Sequence, residues 1–503
     1  MAVITPRWLF VLAAATPAHY GQPLLVDESL ERFDPAKITP GDVVGISIHT
    51  GNALRGYEVG REAHAHGAIV VYGGIHAALY PDEPRERGAA HVVVTGDGDV
   101  VWPAVLADCA AGCPKPRYDG GRIDGESFVA ARWDLLPKGR YMWASVQTVR
   151  GCPKHCSFCS VWRTDGQAPR NRATEAVIGE IVELRRQGFR FIALADDNFY
   201  PVSLEDLAQA RRLADPSRLN HLLQLRADRF DLMAQLARMP KDTIFFTQIT
   251  MEAAEDPEFL KAMRKAHIRG ALVGIESVTA AGLKAVFKNF NLAGDALANR
   301  LRVFRDHGVH VLGSFIFGLP TDEPDTFTAT AAVAKQAGIA FAQFVVLTPF
   351  PGTIDFEKWE RGFGKDVPEV DNIPITRHWL LPTARRPKFF MPHPTMPAAE
   401  IGSRTQGVWD RFYGLRQTWD RSRIVPTLKG RVAFVLISKL YRQMYANTGL
   451  SSDSARRSTS VRWARWLSRP CQRLFAGKPM PDLQVPQMSG APAGASLGLP
   501  SVP

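Results

Sequence analysis

The 503-residue chain has no run of 18 apolar residues, so no transmembrane helix is expected. Cysteine is scarce: six in the whole chain, too few for the disulfide framework of a secreted scaffold. Acidic residues nearly vanish toward the C-terminus. Between positions 401 and 480, sixteen Lys/Arg face three Asp/Glu, and beyond 480 the only charge is Asp482. The net charge of +11 therefore belongs to that segment, while the first 400 residues are close to neutral. This excludes an enzyme coated generally by nucleic acid and confines any anionic partner to one place. A hydrophobic content of 46%, a charged content of 22% and a mean hydropathy of −0.12 exclude global disorder and collagen-like structure. The apolar stretch 8–15 is preceded only by Arg7 and runs into Thr16-Pro17 instead of a small-residue cleavage site. It reads as a buried strand, not a signal peptide, and a cytoplasmic location is expected.

What is present is a βα rhythm. Val43-Val44-Gly45-Ile46-Ser47-Ile48, Ile69-Val70-Val71-Tyr72 and His91-Val92-Val93-Val94 are β-branched runs, with helical spacing from 52 to 67. Residues 1–115 thus read as a doubly wound parallel sheet, whose ligands lie beyond the carboxyl ends of strands. A Gly- and Pro-rich linker follows (116–138). A second series, 139–352, places strands near 142–149, 189–195, 243–250, 271–276, 309–316 and 341–347. The helical patterns between them include 175–186, 257–265 and 324–335. Six such units predict a partial (β/α)6 TIM-like barrel with its chemistry at the C-terminal strand ends. Residues 353–400 look irregular, 401–445 helical within a basic C-terminal region (353–480), and 481–503 a disordered tail.

Directly after the first barrel strand comes Arg150-Gly151-Cys152-Pro153-Lys154-His155-Cys156-Ser157-Phe158-Cys159. Three thiolates in one loop can reach three corners of a cubane cluster. The fourth iron then has no ligand from the motif, and an open metal position distinguishes a reactive site from a structural one. The alternatives are a zinc site completed by His155, or plain reduced thiols. Zinc sites favour paired Cys-x2-Cys spacings, and no second pair follows. Cys471 and the Cys109/Cys113 pair read as incidental.

Cys-x3-Cys-x-aromatic-Cys at this point of a βα barrel resembles the radical S-adenosylmethionine (SAM) superfamily. The resemblance covers about residues 140–350. It implies that Cys152, Cys156 and Cys159 hold a 4Fe–4S cluster whose open iron chelates SAM, with Phe158 near the adenine. Asp196 and Asp197 after the second strand, Gln248 in the third, Glu276 and Ser277 closing the fourth and Ser314 in the fifth match the order of the family's SAM-binding elements. Taken singly each is weak, since Asp at a strand end is often a helix cap. The N-terminal half resembles the cobalamin-binding domain of a large subclass. Its Gly-Gly-x-His is Gly73, Gly74 and His76, and its acidic glycine loop is Gly96, Asp97 and Gly98, with Asp97 and Asp99 in place of the usual glutamates. The Asp-x-His-x-x-Gly element that supplies a histidine below cobalt elsewhere is absent, and His19 has neither its Asp nor its spacing.

The resemblance implies a 4Fe–4S cluster, SAM and cobalamin as cofactors, and a one-electron reductant of flavodoxin or ferredoxin type. The function it implies is C-methylation of an unactivated carbon in a small-molecule or lipid substrate. The alternatives are a cobalamin-associated rearrangement or oxidation, and a non-catalytic iron–sulfur or nucleic-acid-binding sensor. A methylthiotransferase is disfavoured because the N-terminal half lacks three cysteines for a second cluster. The Trp- and Arg-bearing stretch 461–470 and the amphipathic pattern over 431–445 suit peripheral contact with an anionic membrane at its inner face. Nucleic acid is disfavoured as a partner.

Overall fold

The computed structural model of the chain describes residues 2–387, 391–448 and 477–486. The stretch 461–470, Cys471 and the part of the expected tail from 487 on lie outside the described residues. A short strand, β1 (Ala2–Ile4), precedes four strands of a first sheet: β2 (Val43–Ser47), β3 (Ile69–Gly73), β4 (Val92–Thr95) and β5 (Arg117–Asp119). These four pair in parallel in that order. β5 lies in the stretch expected as linker; three residues between turns carry too little periodicity to be read.

The second sheet has β6 (Tyr141–Val146), β7 (Phe191–Leu194), β8 (Ile244–Ile249), β9 (Ile268–Glu276), β10 (His310–Phe317) and β11 (Phe341–Val346). It runs β1-β6-β7-β8-β9-β10-β11, a parallel half-barrel. The seventh strand is β1, registered Ala2↔Tyr141 and Ile4↔Trp143. The apolar stretch 8–15, expected as a strand, is instead helix α1 (Arg7–Ala15). Its Leu and Ala residues are good helix formers, and its buried residues Arg7, Phe10 and Val11 fall at i, i+3 and i+4.

The chain crosses between strands of the first sheet through helices α2 (Ala53–Ala65) and α3 (Gly98–Ala110), and between barrel strands through α4 (Thr174–Arg186), α5 (Pro216–Leu236), α6 (Pro257–Lys265), α7 (Gly294–Asp306) and α8 (Pro324–Ala337). α6 shows the local logic. Asp256 accepts from the Phe259 amide at 3.1 Å as an N-cap, Pro257 takes the first turn, and Phe259, Leu260 and Met263 bury one face. Past the barrel, the stretch expected as irregular contains a helix at Ile354–Gly362 and a 3-10 turn at Ile375–Leu380. Then come α9 (Ala398–Phe412), α10 (Leu415–Arg421) and α11 (Leu428–Thr448). α9 covers the free edge of β11: Trp409 donates to the Phe344 carbonyl at 2.8 Å and the Tyr413 hydroxyl to that of Ala342 at 2.7 Å. A covered edge cannot template aggregation. Among the described residues no helix is long and apolar enough to cross a membrane.

Candidate active site

The loop after β6 is pinned at its base by a two-residue antiparallel ladder, Val149↔Asn171 and Arg150↔Arg170. Gly151 then turns with φ +88°, where a Cβ would stand 2.9 Å from the Ala168 and Gly166 carbonyls; only glycine suits that turn. Its amide donates to Asp197 Oδ2 at 2.7 Å. From there Cys152, Cys156 and Cys159 all face one cavity of about 330 Å³, shared with Phe158, Asp197, Gln248, Glu276 and Ser314. Burial pushes each of the three thiols up to about 11. Without a cation they stay protonated, and metal coordination is what makes such thiols thiolates. That donor set fits an iron–sulfur cluster. His155, the fourth ligand a zinc site would need, points outward, exposed and packed 6.3 Å from the Phe287 ring. Among the described residues no group of three His, Cys, Asp or Glu could hold a single metal ion.

Two of the acidic and polar candidates face elsewhere. Asp196 and Asp197 follow the end of β7, and of the two only Asp197 lines the cavity. Asp196 is on the far side: it accepts from the Thr148 amide and hydroxyl, both at 2.6 Å, and from the Val149 amide at 3.0 Å. It thereby anchors the cysteine loop's base and is not placed to touch SAM. Ser277 likewise turns away and accepts from the Thr279 amide at 3.2 Å. Its neighbour Glu276 is aimed inward by a break in register between Gly274 and Glu276 and by its own φ of +66°; bulges commonly re-aim side chains beside active sites. On β10 and β11 the register Ser314↔Gln343 lets the Gln343 amide donate to the Ser314 hydroxyl at 2.8 Å.

Lys288 escaped sequence reading. Its ammonium donates to Glu276 Oε1 at 2.8 Å and to the Gly274 carbonyl at 2.7 Å, at the same cavity as the thiols. Burial opposes its charge, yet Glu276 and Cys156 hold its pKa above the usual lysine value. No motif marks it in Phe287-Lys288-Asn289-Phe290. Asp197 is pushed up to about 7 by burial and by the Asp165 charge. Ile316, Val345, Leu347 and Phe350 form an apolar stretch of the wall, and Lys154, Thr250 and Thr348 line it as well.

In the N-terminal half, the strand ends of β3 and β4 carry the glycines. An added Cβ at Gly73 would meet only the Val94 carbonyl at 3.9 Å, so its surface is open. Gly74, with φ +91°, packs instead against its own fold, 2.6 Å from the Ile48 carbonyl. Gly96 is packed likewise on Gly121 at 2.5 Å, and Gly98, opening α3, on Val94 at 3.1 Å. An open glycine at a strand end fits the close approach of a flat ligand. His76 faces no such ligand. Fully buried, it bonds Glu83 through Nε2 at 3.0 Å and Thr50 through Nδ1 at 3.3 Å. Asp97 is also occupied: it pairs with Arg150, with Arg170 at 2.5 Å, and accepts from the Ile123 amide at 2.9 Å. The glycine loop is thus ion-paired to the base of the cysteine loop.

The Radical SAM superfamily profile matches residues 146–334, the stretch that contains the cysteine loop and most of the half-barrel. Those residues are a radical SAM domain. This radical SAM enzyme is 26% identical over 391 residues to a hopanoid C-2 methylase of Rhodopseudomonas palustris, covering 76% of this chain and 68% of that one. Its fold is similar to that of the radical SAM methyltransferase TsrM from Kitasatospora setae, solved with cobalamin and a 4Fe–4S cluster bound. There the TM-score is 0.61 at 17% identity, over 87% of this chain and 96% of that one. It is also similar to OxsB, a cobalamin-dependent radical SAM enzyme, with a TM-score of 0.63 at 12% identity over 95% of this chain and 75% of that one. The chain thus shares the fold of radical SAM enzymes solved with cobalamin, and its sequence is similar to that of a methylase.

Proposed function

We propose that this radical SAM enzyme uses cobalamin to C-methylate an unactivated carbon of an apolar small molecule or lipid. The observation that carries the reading is a single cavity in which three buried thiols, Asp197, Glu276 and Lys288 meet an apolar wall. Cys152, Cys156 and Cys159 would hold three irons of a 4Fe–4S cluster and leave the fourth for SAM. Asp197, Gln248 and Ser314 offer hydrogen bonds to its polar groups, and Phe158 a face for its adenine. Cobalamin would lie at the β3 and β4 strand ends against Gly73, and His76 would not ligate it, since both of its ring nitrogens are engaged. Bound there, these groups supply reductive cleavage of a sulfonium and a transferable methyl group.

The chain's own contribution is positioning and exclusion. Ile316, Val345, Leu347 and Phe350 keep water from a carbon radical and hold an apolar substrate by shape. Lys288 supplies a fixed positive charge beside the thiolates and Glu276. The likeness to a hopanoid C-2 methylase supports methyl transfer and a lipid-type substrate. Electrons would come from a flavodoxin- or ferredoxin-type partner in the cytoplasm, and the substrate through peripheral contact of the basic C-terminal region with a membrane.

The test is anaerobic reconstitution followed by incubation with SAM, a strong reductant and a lipid extract. The expected outcome is 5′-deoxyadenosine, retained cobalamin and a product heavier by one CH₂ unit, with the nucleoside and the product both lost in Cys156→Ala. A product of unchanged carbon count would refute methyl transfer. Zinc in place of iron would refute the whole reading.

A further inference from the structure

α11 packs on the outer strand of the barrel. Phe434 and Tyr441 meet the Phe341 ring at centroid distances of 5.1 and 5.7 Å. The Tyr445 hydroxyl donates to Gln343, a residue of the cavity wall. The far side of a surface helix is normally polar. Here it carries Leu428, Val432 and Leu436, exposed by 67%, 47% and 40% and spaced four residues apart along one stripe. α10 adds Leu415 at 69% and Trp419 at 40%. The Arg431 guanidinium, 4.3 Å over the Trp419 ring, joins the two helices. A cluster of exposed apolar side chains marks an interaction site.

The charge around the stripe names its partner. Over 401–448 there are nine Lys/Arg and two Asp, and Arg416, Arg423 and Lys429 are exposed beside the apolar residues. A second copy meeting the same face would set like charges against each other, since a two-fold contact is made by the same patch on both sides. Nucleic acid would leave the leucines and valine unsatisfied. An apolar stripe with basic flanks matches an anionic lipid surface, where the side chains enter the acyl boundary and the cations meet headgroups.

We infer that α10 and α11 form a docking face for an anionic bilayer, with Leu428, Val432, Leu436 and Trp419 as the inserted side chains. The face is tied to the catalytic cavity through Tyr445 and Gln343, so the docked enzyme has its substrate wall attached to the helix that meets lipid. This rests on the proposed lipid-type substrate for its purpose only. Vesicle binding is measured without turnover, so failure of methyl transfer and failure of docking are separate results.

The experiment is flotation of the full-length protein with vesicles of phosphatidylcholine alone and of phosphatidylcholine mixed with phosphatidylglycerol. Binding to the mixed vesicles that falls with salt is expected. The combined Leu428→Asp, Val432→Asp and Leu436→Asp variant should lower the bound-to-free ratio at least ~10-fold, with an unchanged circular dichroism spectrum. A Trp463→Asp, Trp466→Asp variant should bind like the parent. Equal flotation of the triple variant overturns the assignment. So does loss of binding in the Trp463/Trp466 variant, or a parent dimer that the triple substitution converts to monomer.

Discussion

Asp97 is the hinge between the two halves of the enzyme, and its removal gives a sharp prediction. Its carboxylate is 8% exposed and its partners Arg150 and Arg170 are 15% and 11% exposed. Both guanidinium groups also stack over the Phe128 ring, at 4.2 and 5.4 Å. Asp97→Ala would leave two largely buried cations facing one another with no counter-charge. Breaking a buried pair from one side costs about 3–5 kcal/mol; the residual exposure of the arginines and their stacking place this case near the lower end, about 3 kcal/mol. Hydrogen exchange at the Ile123 amide, which donates to the same carboxylate, is the local readout. A loss of about 3 kcal/mol accelerates opening there on the order of 100-fold. The Asp97→Asn variant, which keeps an acceptor, should fall between. Acceleration under about fivefold, the size an exposed pair gives, would refute the claim that Asp97 clamps the two halves.

Replacing Lys288 by Met leaves the buried Glu276 carboxylate without its cation and should destabilise the apoprotein by about 3–5 kcal/mol. Adding Glu276→Gln should restore part of that in a thermal melt, and identical melts for single and double variants would sink the pairing argument. Asp322, which accepts from the Gly318 and Leu319 amides, is pushed by burial up to about 6. A folded-state value above the unfolded one means its contribution is full below about pH 4 and lost as pH rises through 6, about 3 kcal/mol by neutrality. Asp322→Asn should flatten that decline in urea denaturation between about pH 4.5 and about pH 7, and an unchanged slope would refute it.

The barrel was legible because β-branched runs separated by helical patterns have few other uses, and the cysteine spacing lands at a strand's carboxyl end. Adjacent candidates were harder to separate. Asp196 and Asp197, or Glu276 and Ser277, look equivalent in sequence until the hydrogen bonds of Asp196 to the base of the cysteine loop and the break at Gly274 assign one of each pair to the cavity. His76 matched a family pattern but serves a buried network instead. Lys288 reaches Glu276 across twelve residues of loop and helix, a contact that exists only once both ends are folded. The apolar run at 8–15 was ambiguous by length alone, since short apolar runs suit strand and helix equally. In α11 the pattern suggested one apolar side, whereas packing against Phe341 and an outward stripe divide its apolar residues between two faces.

Glu83 accepts from Tyr57 at 2.7 Å and from Trp379 at 3.0 Å, across 296 residues of chain. Phe356, Trp359, Trp379 and Leu380 complete the same apolar cluster as Ile48, Tyr57, Val70 and Tyr72. On a ribosome adding about 5–20 residues per second, the first sheet therefore waits tens of seconds for its last side chains. Its final consolidation is a late event of synthesis, and a nascent chain stalled before Trp379 emerges from the exit tunnel would present that unfinished surface to chaperones.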